Sequence, residues 1–86
     1  MIAMFAVKRE RTGRILKATF DHETTVLSTH KKQDEAEAEI RSRFKSQHEN
    51  YGERASFTGN ETDFNVTIKE PDYDVTEHFF IDQVEE

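Results

Sequence analysis

A single apolar stripe at helical spacing is the feature that most constrains this fold. Ala36, Ile40 and Phe44 recur every four residues between charged neighbours, and His48 continues the series. This spacing predicts an amphipathic α-helix over residues 33–47 with one narrow buried face. Because one helix cannot bury its stripe against itself, it needs a sheet to lie on, with Ile40 and Phe44 as its anchors.

Both ends of this helix carry recognisable patterns. Asp34, followed three residues later by Glu37, matches a capping box, and acids are favoured in the first turn by the helix dipole. The Asn-Tyr-Gly sequence at residues 50–52 is typical of a helix end, because glycine adopts the left-handed conformation that often follows the last turn. We therefore expect the helix to stop before residue 50.

The segments before the helix predict two or three strands. Residues 2–8 read as a strand, and the Arg-Thr-Gly-Arg sequence at 11–14 predicts a turn. Residues 15–20 then alternate as a returning strand, which completes a hairpin. Asp-His-Glu at 21–23 breaks the alternation, and residues 24–30, rich in β-branched side chains, predict a third short strand.

The segments after the helix predict three more strands. Residues 54–58 form the first, Gly-Asn at 59–60 a turn, and 64–68 an alternating second strand. Residues 70–74 contain the only proline in a strong turn pattern, and 75–84 form the last strand.

The element order ββ(β)αβββ predicts an α+β fold, an antiparallel sheet of about five strands with one helix packed on one face. The 86 residues make a single domain, 1–86, with a small core. Seven Phe and two Tyr argue against a disordered chain, although 35% of the residues are charged. Without cysteine, the fold has neither disulfides nor a thiolate metal site.

Charge is distributed unevenly along the chain. Residues 1–20 carry five basic side chains against one acid, a net charge of +4. Residues 51–86 carry ten acids against two basic side chains, a net charge of −8, within an overall net charge of −6. Either end of the sequence is a candidate docking surface for a charged partner.

The first candidate surface is an acidic flank around the proline loop: Asp63, Glu70, Asp72, Tyr73, Asp74 and Glu77. Carboxylates spread along one surface can imitate the phosphate spacing of a nucleic acid and occupy the basic groove of a larger protein. The simpler explanation is that these charges keep a small domain soluble. Calcium binding is disfavoured because the loop lacks the D-x-D-x-D-G pattern.

The second candidate surface is a basic hairpin: Lys8, Arg9, Arg11, Arg14 and Lys17. Its arginines could pair bidentately with nucleic-acid phosphates. The alternative is a solvated hairpin whose cations protect edge strands or pair with the acidic half of the chain. The net charge of −6 counts against nucleic acid, because such a protein repels it unless one face is strongly segregated.

Catalytic and metal sites are not indicated. The four histidines are scattered rather than placed at ligand spacing, and no serine lies in a nucleophile motif. A domain this small also lacks depth for a substrate pocket. We therefore expect no enzyme activity, cofactor or metal. Residues 1–7 are apolar but too short for a signal segment or membrane span, which predicts a cytoplasmic protein without membrane contact.

The adjacent pair Phe79-Phe80 bears on assembly. Successive strand residues face opposite sides of a sheet, so one of the two must leave the helix-covered core. An aromatic side chain on the open side predicts a partner surface or a homodimer. The alternative is a sheet that curls to close over both faces.

In size, acidity and single-helix sheet, the chain resembles the small proteins with which phages and mobile elements inhibit host machinery, such as anti-restriction and anti-CRISPR inhibitors. The resemblance rests on no motif and covers no specific residues. It implies a non-enzymatic inhibitor or adaptor that docks on a larger basic protein through its acidic C-terminal half. A small nucleic-acid-binding module that uses the basic hairpin, and a structural or assembly subunit, are the alternatives.

Overall fold

A computed structural model describes residues 3–15 and 18–85 of the chain. Two strands precede the helix, β1 (Ala3–Ile15) and β2 (Ala18–His30). The helix, α1 (Gln33–Tyr51), runs into a short 3₁₀ turn (Gly52–Arg54). Three strands follow: β3 (Ala55–Asn60), β4 (Asp63–Lys69) and β5 (Asp74–Glu85).

The strands form one antiparallel sheet in the order β2-β1-β5-β4-β3. The last strand of the chain is therefore the central one, and it joins the N-terminal hairpin to the hairpin that follows the helix. The helix packs on one face of this sheet. The predicted α+β fold with five strands and one covering helix is confirmed.

The predicted turn at residues 11–14 is wrong. β1 continues through this segment to Ile15, and Gly13 pairs with Asp21 on one side and Val75 on the other. A glycine prefers turns only as a local tendency. Here strands on both sides offer hydrogen-bond partners to the β1 backbone, so the extended conformation satisfies more backbone groups than a turn would.

The predicted break at residues 21–23 is also wrong. β2 is continuous from Ala18 to His30, so the expected second and third strands are one. The polar Asp-His-Glu sequence pairs in register with residues 11–13 of β1. The irregularity is taken up instead by shifts of register at Val7/Lys8 and at Gly13/Arg14, where the β2 side carries one extra residue.

The helix begins at Gln33, as predicted, but ends at Tyr51 rather than near residue 47. Tyr51 packs against the core, which favours the additional turn. Gly52 has φ 53° and donates its N–H to the His48 carbonyl, so glycine ends the helix as expected. The capping box does not form because the cap residue is Lys32, which places Asp34 inside the first turn.

The core lies between the helical stripe and the sheet. Ala36 and Ile40 are fully buried. Phe44 meets Phe64 edge-on at a centroid distance of 4.9 Å, and Phe64 stacks on Phe79 at 4.8 Å. Aromatic pairs at these distances add to the stabilisation that burial gives. The predicted stripe is therefore the face that the helix buries.

The turn between β3 and β4 lies two residues later than predicted. β3 continues through Gly59 to Asn60. Gly59 has φ 100°, and a Cβ there would lie 2.3 Å from the Asp63 carbonyl oxygen, so only glycine fits. The Asn60 side-chain oxygen accepts hydrogen bonds from the backbone N–H groups of Thr62 and Asp63, which organises the turn.

The two faces of the sheet differ sharply. Phe79 is 2% exposed beneath the helix, whereas Phe80 lies on the opposite side, which we call the open face. Among the described residues, α1 is the one α-helix, and it covers only the face that contains Phe79. No helix in this part of the chain is long and apolar enough to cross a membrane.

Candidate functional site

The loop between β4 and β5 brings together most of the acidic flank. Glu70, Asp72 and Asp74 are exposed in or beside this loop, with Tyr73 among them. The loop is closed by a hydrogen bond in which the Glu70 N–H donates to the Tyr73 carbonyl at 2.9 Å. Pro71 fixes one backbone φ angle and so favours a sharp connection. We call Glu70, Asp72, Tyr73 and Asp74 the acidic tip.

The two other acids of the flank lie elsewhere. Asp63 begins β4 at the end away from the tip, and its Oδ1 lies 2.6 Å from His78 Nε2. Glu77 shares the helix-covered side with Phe79, is only 7% exposed, and has its Oε2 3.6 Å from Arg9 Nε. The structure therefore does not bring Asp63 or Glu77 to the acidic tip, and Glu77 is buried away from an incoming partner.

An exposed apolar side chain of β1 lies at the same end of the sheet. Arg14 pairs with Asp74 in the β1–β5 register, which places the next residue, Ile15, beside the acidic tip. Ile15 is 44% exposed and Tyr73 43% exposed. Sequence reasoning missed Ile15 because it placed a turn before this residue. A continuous β1 is the signal that carries Ile15 to this end.

The basic residues do not form one surface. Alternation along β1 puts Lys8 and Arg14 on the open face and Arg9 and Arg11 on the helix-covered face. The predicted turn would have gathered these side chains at a hairpin tip, but a continuous strand separates them. Lys17 lies outside the described residues.

Two of these cations are engaged with acids of the same chain. Lys8 forms an ion pair with Asp82. Arg9 lies 3.6 Å from Glu23 and 3.6 Å from Glu77. A buried carboxylate such as Glu77 needs a nearby cation, because desolvation of an unpaired charge is costly. Arg9 and Glu77 therefore act as a structural pair within the domain.

The histidines take part in packing and local hydrogen bonds. His48 stacks on Phe57 with a centroid distance of 3.8 Å and meets Phe44 edge-on at 4.5 Å. His30 Nε2 lies 2.9 Å from the Ser28 hydroxyl. Within residues 3–15 and 18–85, no group of three or more His, Cys, Asp or Glu side chains is arranged to hold a metal ion.

No family model matches the sequence, and no curated protein or solved structure matches the chain. Function is therefore inferred from the surface of the domain itself. The acidic tip is the place where carboxylates and an exposed aromatic ring lie together, and we take it as the candidate functional site.

Proposed function

We propose that this chain is a small non-enzymatic binding protein that docks, as an inhibitor or adaptor, on a larger host protein with a basic surface. The observation that supports this is the acidic tip, where three carboxylates surround an exposed tyrosine at one end of the sheet. In this proposal the protein acts in the cytoplasm as a nucleic-acid mimic, like the anti-restriction and anti-CRISPR inhibitors that it resembles.

The tip combines two kinds of interaction that such a contact requires. The Tyr73 ring and the neighbouring Ile15 side chain, 43% and 44% exposed, offer apolar surface that a partner can bury. Tyrosine is among the residues that most often dominate binding energy. The surrounding carboxylates attract a basic partner at long range and raise the association rate.

The alternative, a nucleic-acid-binding module, requires a basic surface on one side of the domain. The candidate cations instead lie on two faces, and Lys8 and Arg9 are paired with acids. A net charge of −6 adds long-range repulsion of nucleic acid. These observations favour docking on a protein.

The test compares two variants that lose equal charge. The tip variant carries Glu70→Gln, Asp72→Asn and Asp74→Asn. The matched control replaces three other exposed acids, Glu35, Glu49 and Glu85, with Gln. Both change the formal net charge from −6 to −3. Each immobilised protein is exposed to host lysate at low salt, with duplex DNA added in a parallel sample as competitor.

We expect the parent and the control to retain the same basic host protein, and the tip variant to retain about tenfold less or weaker still. Duplex DNA should displace the retained protein, because both compete for the same basic groove. Equal losses in the two variants would show that only net charge matters and would refute the tip as the site. Direct binding of DNA or RNA that disappears on Arg11→Gln/Arg14→Gln substitution would establish the nucleic-acid alternative instead.

A further inference from the structure

The open face carries an apolar patch at the end away from the acidic tip. We define this apolar patch by its members, which alternate with the core residues of their strands: Met4, Ala6, Val26, Phe80 and Val84. Val26, Lys8 and Phe80 lie side by side across β2, β1 and β5, and Val26 is 53% exposed. At ~3.3 Å per residue, the six residues from Lys8 to Arg14 place the patch about 20 Å from the tip.

We propose that two copies of this chain associate through their apolar patches, open face against open face. Phe80 lies on the central strand, so it is at the middle of the sheet's width. Two sheets that pack face to face interdigitate their side chains at a separation of ~10 Å. The dimer is a four-layer arrangement in which each helix stays on the outside.

The charges beside the patch favour a second copy over a charged partner. Lys8 pairs with Asp82 and Asp63 with His78, so each of these groups already has its counter-charge within one protomer. A strongly basic or acidic partner finds little net charge to recognise here. Two copies can approach without net repulsion, with the paired groups at the rim of an apolar centre.

The dimensions of the face are sufficient for a stable dimer. The domain measures 46 by 25 Å in its two longer directions, so the face encloses at most roughly 1,100 Å². A standard interface needs ~800 Å² from each partner. A domain of this size also has a small core, and burial of Phe80 and Val26 adds apolar area that a monomer leaves in contact with water.

The test measures mass against concentration by light scattering coupled to gel filtration. The principal variant is Val26→Lys, because a side chain that is 53% exposed can be replaced without loss of core packing. Phe80→Ser is the second variant, and it distinguishes the open face from the edge of β2, where Val26 also lies. Ile15→Lys is the matched control, since Ile15 is 44% exposed but lies on the other face near the tip. Circular dichroism verifies that each variant is folded.

We expect the parent and Ile15→Lys to reach twice the 10.1 kDa chain mass at high micromolar concentration. Val26→Lys should remain at 10.1 kDa, and Phe80→Ser should weaken dissociation by ~30-fold or more. A parent that stays at 10.1 kDa throughout overturns the proposal and assigns the face to a different partner. A dimer lost in Val26→Lys but intact in Phe80→Ser also overturns it, because that result points to the β2 edge. Retention of the host protein by Val26→Lys separates this outcome from failure of the acidic tip.

Discussion

Replacement of two adjacent phenylalanines measures how differently the two faces of the sheet contribute to stability. Phe79 is 2% exposed and stacks on Phe64 at 4.8 Å, so Phe79→Ala removes a ring from the centre of the core. Substitutions of this kind cost ~3–5 kcal/mol. Phe80 is partly exposed on the open face, where truncation should cost ~1 kcal/mol, since much of its area is already in contact with water.

The comparison is made in the Val26→Lys background, so that dimerisation does not contribute. In a domain of this size 1 kcal/mol shifts the melting temperature by ~4–8 °C. Phe80→Ala should therefore lower the melting temperature by ~4–8 °C, and Phe79→Ala by ~12 °C or more. The second change consumes most of the ~3–5 kcal/mol expected for so small a domain. Thermal melts followed by circular dichroism measure both shifts. Equal shifts would refute the assignment of the faces.

Three further outcomes follow from individual contacts. Gly59→Ala should destabilise by ~1–3 kcal/mol in urea unfolding, because φ is 100° and the new Cβ would meet the Asp63 carbonyl; an unchanged midpoint would contradict this geometry. Arg9→Met should cost ~1–3 kcal/mol by leaving the Glu77 carboxylate buried without its cation, and Arg9→Met/Glu77→Leu should recover part of that loss; a double variant less stable than the single one would contradict the pairing. Tyr73→Ala should leave the melting temperature within a few degrees of the parent while weakening host-protein retention ~tenfold, whereas full retention would exclude the ring from the contact.

The strongest patterns in the sequence predicted the architecture. Ala36, Ile40 and Phe44 have a spacing that only a helix can bury on one side, and the structure buries them against a five-stranded sheet. The strand around Val66 and the strand around Phe79 were also recognisable, because their alternation is regular. Long-range consistency between one helix and several alternating segments is what made the fold class readable.

The N-terminal half was less predictable because local preferences were overruled by pairing. Gly13 and the Asp-His-Glu segment at 21–23 favour turns locally, yet both lie within continuous strands that β1 and β2 form together. The capping box failed for a related reason, since the helix starts one turn position before Asp34. Tertiary hydrogen bonds, which no local pattern encodes, decided each of these positions.

The candidate surfaces depended on the same long-range information. Charge density along the sequence grouped Glu77 with the other acids, but strand alternation turns it toward Arg9 beneath the sheet's covered face. The acidic tip itself was predictable, because a proline turn holds Glu70 to Asp74 together within five consecutive residues. Ile15 joined it only through the register of β1 with β5.

Contact between the acidic tip and its partner is tested most directly by covalent capture. A photoreactive phenylalanine analogue replaces Tyr73 in one protein and Lys45, an exposed position on the helix, in a second. Both are irradiated in host lysate at low salt. The tip position should form an adduct with the same basic protein that the parent retains, and the adduct should diminish when duplex DNA is added. An adduct from position 45 with none from position 73 would place the docking surface on the helix and contradict the account.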